Sequence, residues 1–201
     1  MLLATLYRMS KILIIVGTVR EGRVGRKIAD WYLKEAIKAA PDMEFELLDV
    51  AELNLPLFDQ AMPPMMHQYG EVQKKLADKI GSADGFVFIT GEYNHSIPGS
   101  LKNFLDHIFA EWNYKAAAFV GYGGAASGSR AIEHLIPVLA ELKVASVGST
   151  MNHILIRNIF NAIDESGIPK PEFVSGDIGK QLKELDWWVS ALKTARTTFR
   201  L

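Results

Sequence analysis

The sequence predicts an α/β fold in which a mostly parallel sheet carries helices on both faces, and three observations support this. Short apolar runs bounded by glycine, at residues 12–16, 86–89 and 116–120, read as strands covered on both sides. Segments of helical period separate them, and strand and helix alternate as crossover connections require. The loops that follow the apolar runs are polar and glycine-rich, as expected where parallel strands open onto a ligand crevice.

Each element follows in order. ILIIV at 12–16 opens the sheet, and Val24, Ile28, Trp31, Tyr32 and Ala36 form the buried stripe of a first helix. Residues 44–50 (EFELLDV) alternate more and give a second strand, and residues 86–89 give the third. Residues 101–112 read as a helix apolar on more than one side; Leu101, Phe104, Leu105, Ile108, Phe109 and Trp112 offer more apolar surface than one sheet face covers, which predicts a subunit interface. The fourth strand is 116–120, and Ala131, Leu135, Val138, Leu139 and Leu142 make the next helical stripe. A fifth strand falls at 144–147. Residues 149–176 lose clear period and carry Pro169 and Pro171, so they read as a functional or interfacial excursion before a last helix with Leu182, Leu185, Val189 and Leu192. Residues 1–9 are read as a mobile extension, and residues 10–201 as a single domain.

Composition narrows the function. With 49% hydrophobic residues in 201 and no linker-like stretch, one sizeable core is expected. A net charge of −1 argues against whole-chain binding to nucleic acid or to an anionic membrane. The chain has no cysteine, which rules out a disulfide framework, a thiolate nucleophile, an iron–sulfur cluster and a cysteine zinc site, and suits a cytoplasmic protein. The apolar start is too short for a secretory signal. His67, His107, His134 and His153 lack metal-ligand spacing, so no metal is expected.

Three loops carry candidate chemistry. The first, after the first strand, reads GTVREGRVG from Gly17 to Gly25; its glycines, the helix amino end, the Thr18 hydroxyl and the cluster Arg20, Arg23, Arg26 and Lys27 suit a phosphate. It nearly spells a nucleoside-triphosphate loop, but Arg23 and Val24 stand where that motif needs lysine and a magnesium-binding hydroxyl, and no other strand is expected to end in a compensating acid. The second loop holds Glu92, Tyr93, Asn94, His95 and Ser96 before Pro98, which suits a helix start. By chemistry alone, Asn94 and Ser96 could serve a ligand or merely cap that helix. The third, after the fourth strand, contains Tyr122, Gly123 and Gly124, whose backbone can approach a flat ring. LPLFD at 55–59 reads as an apolar turn, and Trp187 and Trp188 as split between core and boundary.

The stretch GEYNHSIPGSLKNFLD at 91–106 resembles the EYNHSIPG signature of the NAD(P)H-dependent FMN reductases, a flavodoxin-like family that includes quinone, azo-dye and chromate reductases; residues 92–99 match consecutively. The resemblance implies a flavodoxin-like sandwich with a five-stranded sheet of order 2-1-3-4-5 and a crevice between strands 1 and 3. It further implies FMN as cofactor, NADPH or NADH as transient co-substrate, and a small-molecule electron acceptor: a quinone, an azo compound, a metal oxyanion or free flavin. Carried over residue by residue, the FMN site comprises Gly17, Thr18, Arg20, Arg23, Val24, Gly25, Glu92, Tyr93, Asn94, His95, Ser96, Tyr122, Gly123 and Gly124. The flavin carries the hydride chemistry, so no catalytic side chain is expected. Relatives' assembly implies a homodimer or homotetramer. Here Gly91 replaces a common proline and Gly121 a common serine. The rival functions are a flavodoxin-type electron carrier, disfavoured by the near-neutral charge, and a flavin-binding regulatory protein.

Overall fold

The computed structural model describes residues 9–148 and 152–199; residues 1–8 of the expected extension lie outside the described residues. Strand β1 (Ser10–Val16) pairs in parallel with β2 (Met43–Asp49) on one side and β3 (Gly85–Gly91) on the other, and β3 pairs with β4 (Ala116–Tyr122). Strand alternation divides the core in two. Ile12, Ile14 and Val16 face the layer of α1 (Gly25–Ala39) and α6 (Ile178–Thr198), while Leu13 and Ile15 face α2 (Glu71–Gly81), α3 (Gly99–Asp106) and α4 (Ser129–Glu141). No described helix is long and apolar enough to cross a membrane.

The sheet has seven strands rather than five. Two short pieces share the fifth position: β5 (Ala145–Ser146) pairs with the start of β4, and β6 (Ile154–Ile156) with its end. The edge beyond is β7 (Val174–Ser175), antiparallel to β6. The expected order 2-1-3-4-5 therefore stands, with its last place split and one strand added. A side chain braces the sheet where the fifth position is split. Gln181 of α6, 2% exposed, donates through Nε2 to the carbonyls of Phe119 and Asn152, both at 2.9 Å, and accepts the Tyr32 hydroxyl at 2.6 Å. Every hydrogen-bonding atom of that amide thus works, as burial demands.

Two expectations are corrected here. Residues 101–112 are not one helix with surplus apolar surface: α3 ends at Asp106, a single 3₁₀ turn follows at Ala110–Trp112, and Leu101, Phe104, Leu105, Ile108 and Trp112 are each at most 1% exposed. Trp112 explains the difference, because the turn swings its ring onto Phe86, Phe88 and Phe104, filling the space a partner was expected to cover. Trp187 and Trp188 are not split between core and boundary either. They are 65% and 37% exposed on α6 and meet edge to face at 5.3 Å.

Candidate functional site

The three polar loops meet at the carboxyl ends of β1, β3 and β4 around a cleft of 540 Å³, within the range of roughly 300–1,000 Å³ typical of small-molecule and cofactor sites. The first loop contributes Arg20, Gly22, Val24 and Lys27 to its lining, β3 contributes Gly91, Glu92 and Tyr93, and β4 contributes Tyr122, Gly123 and Gly124. A fourth wall comes from the excursion: Ile159 and Phe160 of the short helix α5 (Ile159–Ala162), with Ile163 and Asp164 after it. Sequence reasoning missed this wall; Lys27 stood in its basic cluster but outside the FMN site carried over from the resemblance.

Beneath the cleft floor, the first and third loops are locked together. Thr18, fully buried, shares a 3.0 Å hydrogen bond with the Tyr122 hydroxyl. Gly25, the first residue of α1, lies against both; a Cβ there would stand 2.4 Å from Thr18 Oγ1 and 2.7 Å from the Tyr122 oxygen. Burial pushes the Tyr122 phenol up to about 12, partly offset by the Thr18 hydrogen bond, so it stays neutral near pH 7. Gly17 sits beneath Leu101 and donates its backbone N–H to Ile89.

The basic cluster separates into two groups. Arg23 donates to Asp49 at 2.7 Å, and Arg26 reaches Asp49, Asp30 and Glu52. Asp49 ends β2, so the expectation that no other strand ends in a compensating acid is corrected; its side chain is fully buried and satisfied by the two arginines and the Ala51 N–H. Arg20 and Lys27 remain in the cleft without an ion pair among the described residues, Arg20 donating only to the neighbouring Glu21 carbonyl. Arg23 keeps one donor in reserve, since its Nη1 is buried with no partner.

Glu92 is the second incomplete group. Arg130 of α4 grips its Oε1, with Nε at 2.6 Å, while Oε2 is buried without a partner in a residue that lines the cleft. Beyond it, Tyr93 and Ser96 exchange backbone hydrogen bonds of 2.9 and 3.0 Å around Asn94 and His95, whose φ values of 49° and 67° mark a tight turn of the type I′ kind. Asn94 and His95 are exposed at its tip, outside the cleft lining, and Ser96 bonds His134. Neither Asn94 nor Ser96 caps α3, which begins after Pro98 with no side-chain cap. At Gly121 a Cβ would come within 3.0–3.1 Å of Ile132, Ser127 and Leu155, so the loop packs tightly against this position.

These features fit a phosphorylated flat ligand: two cations without an ion pair, a buried Glu92 oxygen without a partner and a glycine wall free of side chains, with the unpartnered Arg23 Nη1 nearby in the same loop. Residues 10–154 match the family of NADPH-dependent FMN reductases. The chain belongs to that family. The reductase is similar, at 34% identity over 167 residues, to an NAD(P)H-dependent FMN reductase of a Nectria species, covering 78% of this chain and 82% of the relative. It is 30% identical over 179 residues to a 2-hydroxy-1,4-benzoquinone reductase of a Burkholderia species, covering 86% and 90% of the two chains. Among solved structures, a flavoenzyme NAD(P)H:(acceptor) oxidoreductase of Paracoccus denitrificans superposes with a TM-score of 0.59 at 24% identity, over 92% of this chain and 95% of the other, which supports the fold. The reductase is accordingly an oxidoreductase whose cofactor is FMN and whose reductant is NAD(P)H.

Proposed function

We propose that the 540 Å³ cleft holds FMN with its phosphate at the first loop, and that the reductase passes reducing equivalents from NAD(P)H to a small acceptor. The acceptor classes are quinones, azo compounds, metal oxyanions or free flavin. For a quinone the balance is NAD(P)H plus a proton plus quinone giving NAD(P)⁺ plus hydroquinone. Bound FMN supplies the hydride acceptance and donation. The observation that carries this reading is the pairing of two free cations, Arg20 and Lys27, with an orphaned Glu92 oxygen in one cleft.

Arg20 and Lys27 neutralise the phosphate, and Arg23 Nη1 offers it a further donor. Glu92 Oε2 accepts from an N–H of the bound ligand, while Arg130 fixes the carboxylate. Tyr122, Gly123 and Gly124 form a wall without bulky projections. Thr18 and Gly25 hold the floor instead of touching the phosphate, and Asn94, His95 and Ser96 hold the turn that places Tyr93. Val24 and Gly17 shape the loop.

Self-association as a homodimer or homotetramer is supported by an exposed apolar group on the connection after β2, where Leu57, Met65 and Met66 are 81%, 58% and 53% exposed. A cytoplasmic setting is consistent with the absence of cysteine. The functional test is anaerobic: the purified protein shows a visible flavin spectrum, NADPH bleaches it, and menadione restores it. A flavin spectrum that NADPH and NADH both leave unbleached would instead favour an electron carrier.

A further inference from the structure

Phe160 is the most exposed large apolar side chain of the described residues, at 87%, yet it stands on one of the best-anchored walls of the cleft. Its helix is held at both ends. The Asn158 and Ile159 N–H groups donate to the Gly124 and Gly123 carbonyls at 3.1 and 3.0 Å, and the Lys170 N–H donates to the Ala162 carbonyl at 2.8 Å. Ala162 is fully buried in the core, Ile163 bridges to Pro169, and the Asp164 N–H donates to the Ile168 carbonyl at 3.0 Å. Helix α5 is therefore coupled directly to Gly123 and Gly124. A large aromatic ring presented to water from so fixed an element has not been covered by the chain's own packing, although Ile159 and Ile163 beside it are partly buried.

The chemistry of this wall differs from the rest of the cleft. Arg20, Lys27 and Glu92 suit charged or hydrogen-bonding groups, whereas Ile159, Phe160 and Ile163 offer apolar surface, the Asp164 carboxylate at their margin being taken up by the Ser166 hydroxyl and the Ile168 N–H, and these residues lie beyond residue 154, where the family match ends. We infer that α5 is the acceptor-selecting element of this reductase, with Phe160 stacking on planar aromatic quinones in preference to small hydrophilic acceptors. The inference rests on the FMN reading and names its substrate class. Phe160 acts by covering the acceptor's face. It makes no covalent or proton-transfer contribution.

The test uses the FMN-loaded enzyme and its Phe160→Ala and Phe160→Leu variants. Equilibrium binding of menadione to oxidised enzyme should weaken roughly tenfold in the alanine variant, the size of one aromatic contact, and less in the leucine variant. KM for menadione should rise by the same factor with kcat nearly unchanged, so that selectivity for menadione over ferricyanide, read as the ratio of the two kcat/KM values, falls about tenfold, while thermal stability, at so exposed a side chain, stays at the wild-type value. Unchanged menadione binding overturns the inference and leaves the FMN reading intact, since flavin retention and ferricyanide reduction report on that separately. A change of oligomeric state in Phe160→Ala overturns it too, by assigning Phe160 to a subunit contact.

Discussion

The Thr18 hydroxyl and the Tyr122 phenol meet at 3.0 Å in a buried hydrogen bond that ties the loop after β1 to the end of β4, 104 residues away in sequence. It joins the basic side of the cleft to the glycine wall. The two loops therefore hold one relative position before any ligand arrives, which lowers the ordering cost of binding.

Breaking this bond from either side should cost stability. Thr18→Val leaves the Tyr122 hydroxyl buried and unpaired, and Tyr122→Phe leaves Thr18 so; each should lose about 1–3 kcal/mol. The double variant should lose less than the sum, because neither orphan then remains. Urea unfolding of the four proteins checks this, and strict additivity would contradict the coupling.

Gly25→Ala sets two effects against each other. Alanine gains up to about 1 kcal/mol of helix propensity, but its Cβ would stand 2.4 Å from Thr18 Oγ1 and 2.7 Å from the Tyr122 oxygen. Those atoms are pinned by each other, and overpacking of this kind costs about 1–3 kcal/mol. The variant should be less stable and bind FMN more weakly, measured by thermal unfolding and flavin titration. An alanine variant as stable as wild type would show that the floor is not rigid.

Much of this was legible in the sequence because it is local. The strand runs, the helical stripes and the string at residues 92–99 each announce themselves within a few neighbouring residues, and they located three of the four cleft walls. What escaped depends on distant partners. Gln181 bracing the carbonyls of Phe119 and Asn152 reads in sequence as one more polar residue on a helix, and Trp112 folding back over Phe86 and Phe88 leaves no periodic trace. Arg23 and Arg20 look alike in the loop, and only Asp49, 26 residues beyond Arg23, tells them apart. Helix α5 is four residues long, too short to show a period, although the loss of pattern over 149–176 did flag the region.

Lys115 gives a pH signature. It is 6% exposed, donates to the carbonyls of Ile80 and Gly81 at 2.7 and 3.2 Å at the end of α2, and burial depresses it from 10.5 to about 8. Between those two values the unfolded chain binds more protons than the folded one, so unfolding free energy should rise as pH increases from about 8 to 10.5. Lys115→Met should remove that rise. Denaturant unfolding of both proteins across this window tests it, and parallel pH profiles would refute the assignment.

The two arginines of the first loop should part company. Arg23→Ala strips one partner from the fully buried Asp49 side chain and should destabilise the fold by about 1–3 kcal/mol. Arg20→Ala should leave thermal stability within about 0.5 kcal/mol, as for an exposed side chain, and instead weaken FMN binding. If both variants unfold at the same lowered temperature, the division of the cluster is wrong.

The central claim is that this cleft grips FMN by its phosphate through Arg20 and Lys27, and the most direct test is equilibrium titration of the flavin-free protein with FMN and with riboflavin. Wild type should bind FMN tighter by about 10- to 100-fold, the value of a charge-assisted hydrogen bond of roughly 1.5–3 kcal/mol. In the Arg20→Ala, Lys27→Ala double variant the preference should collapse through loss of FMN affinity, with riboflavin affinity unchanged. Equal wild-type affinity for the two flavins, or a preference that survives the double substitution, would contradict the account.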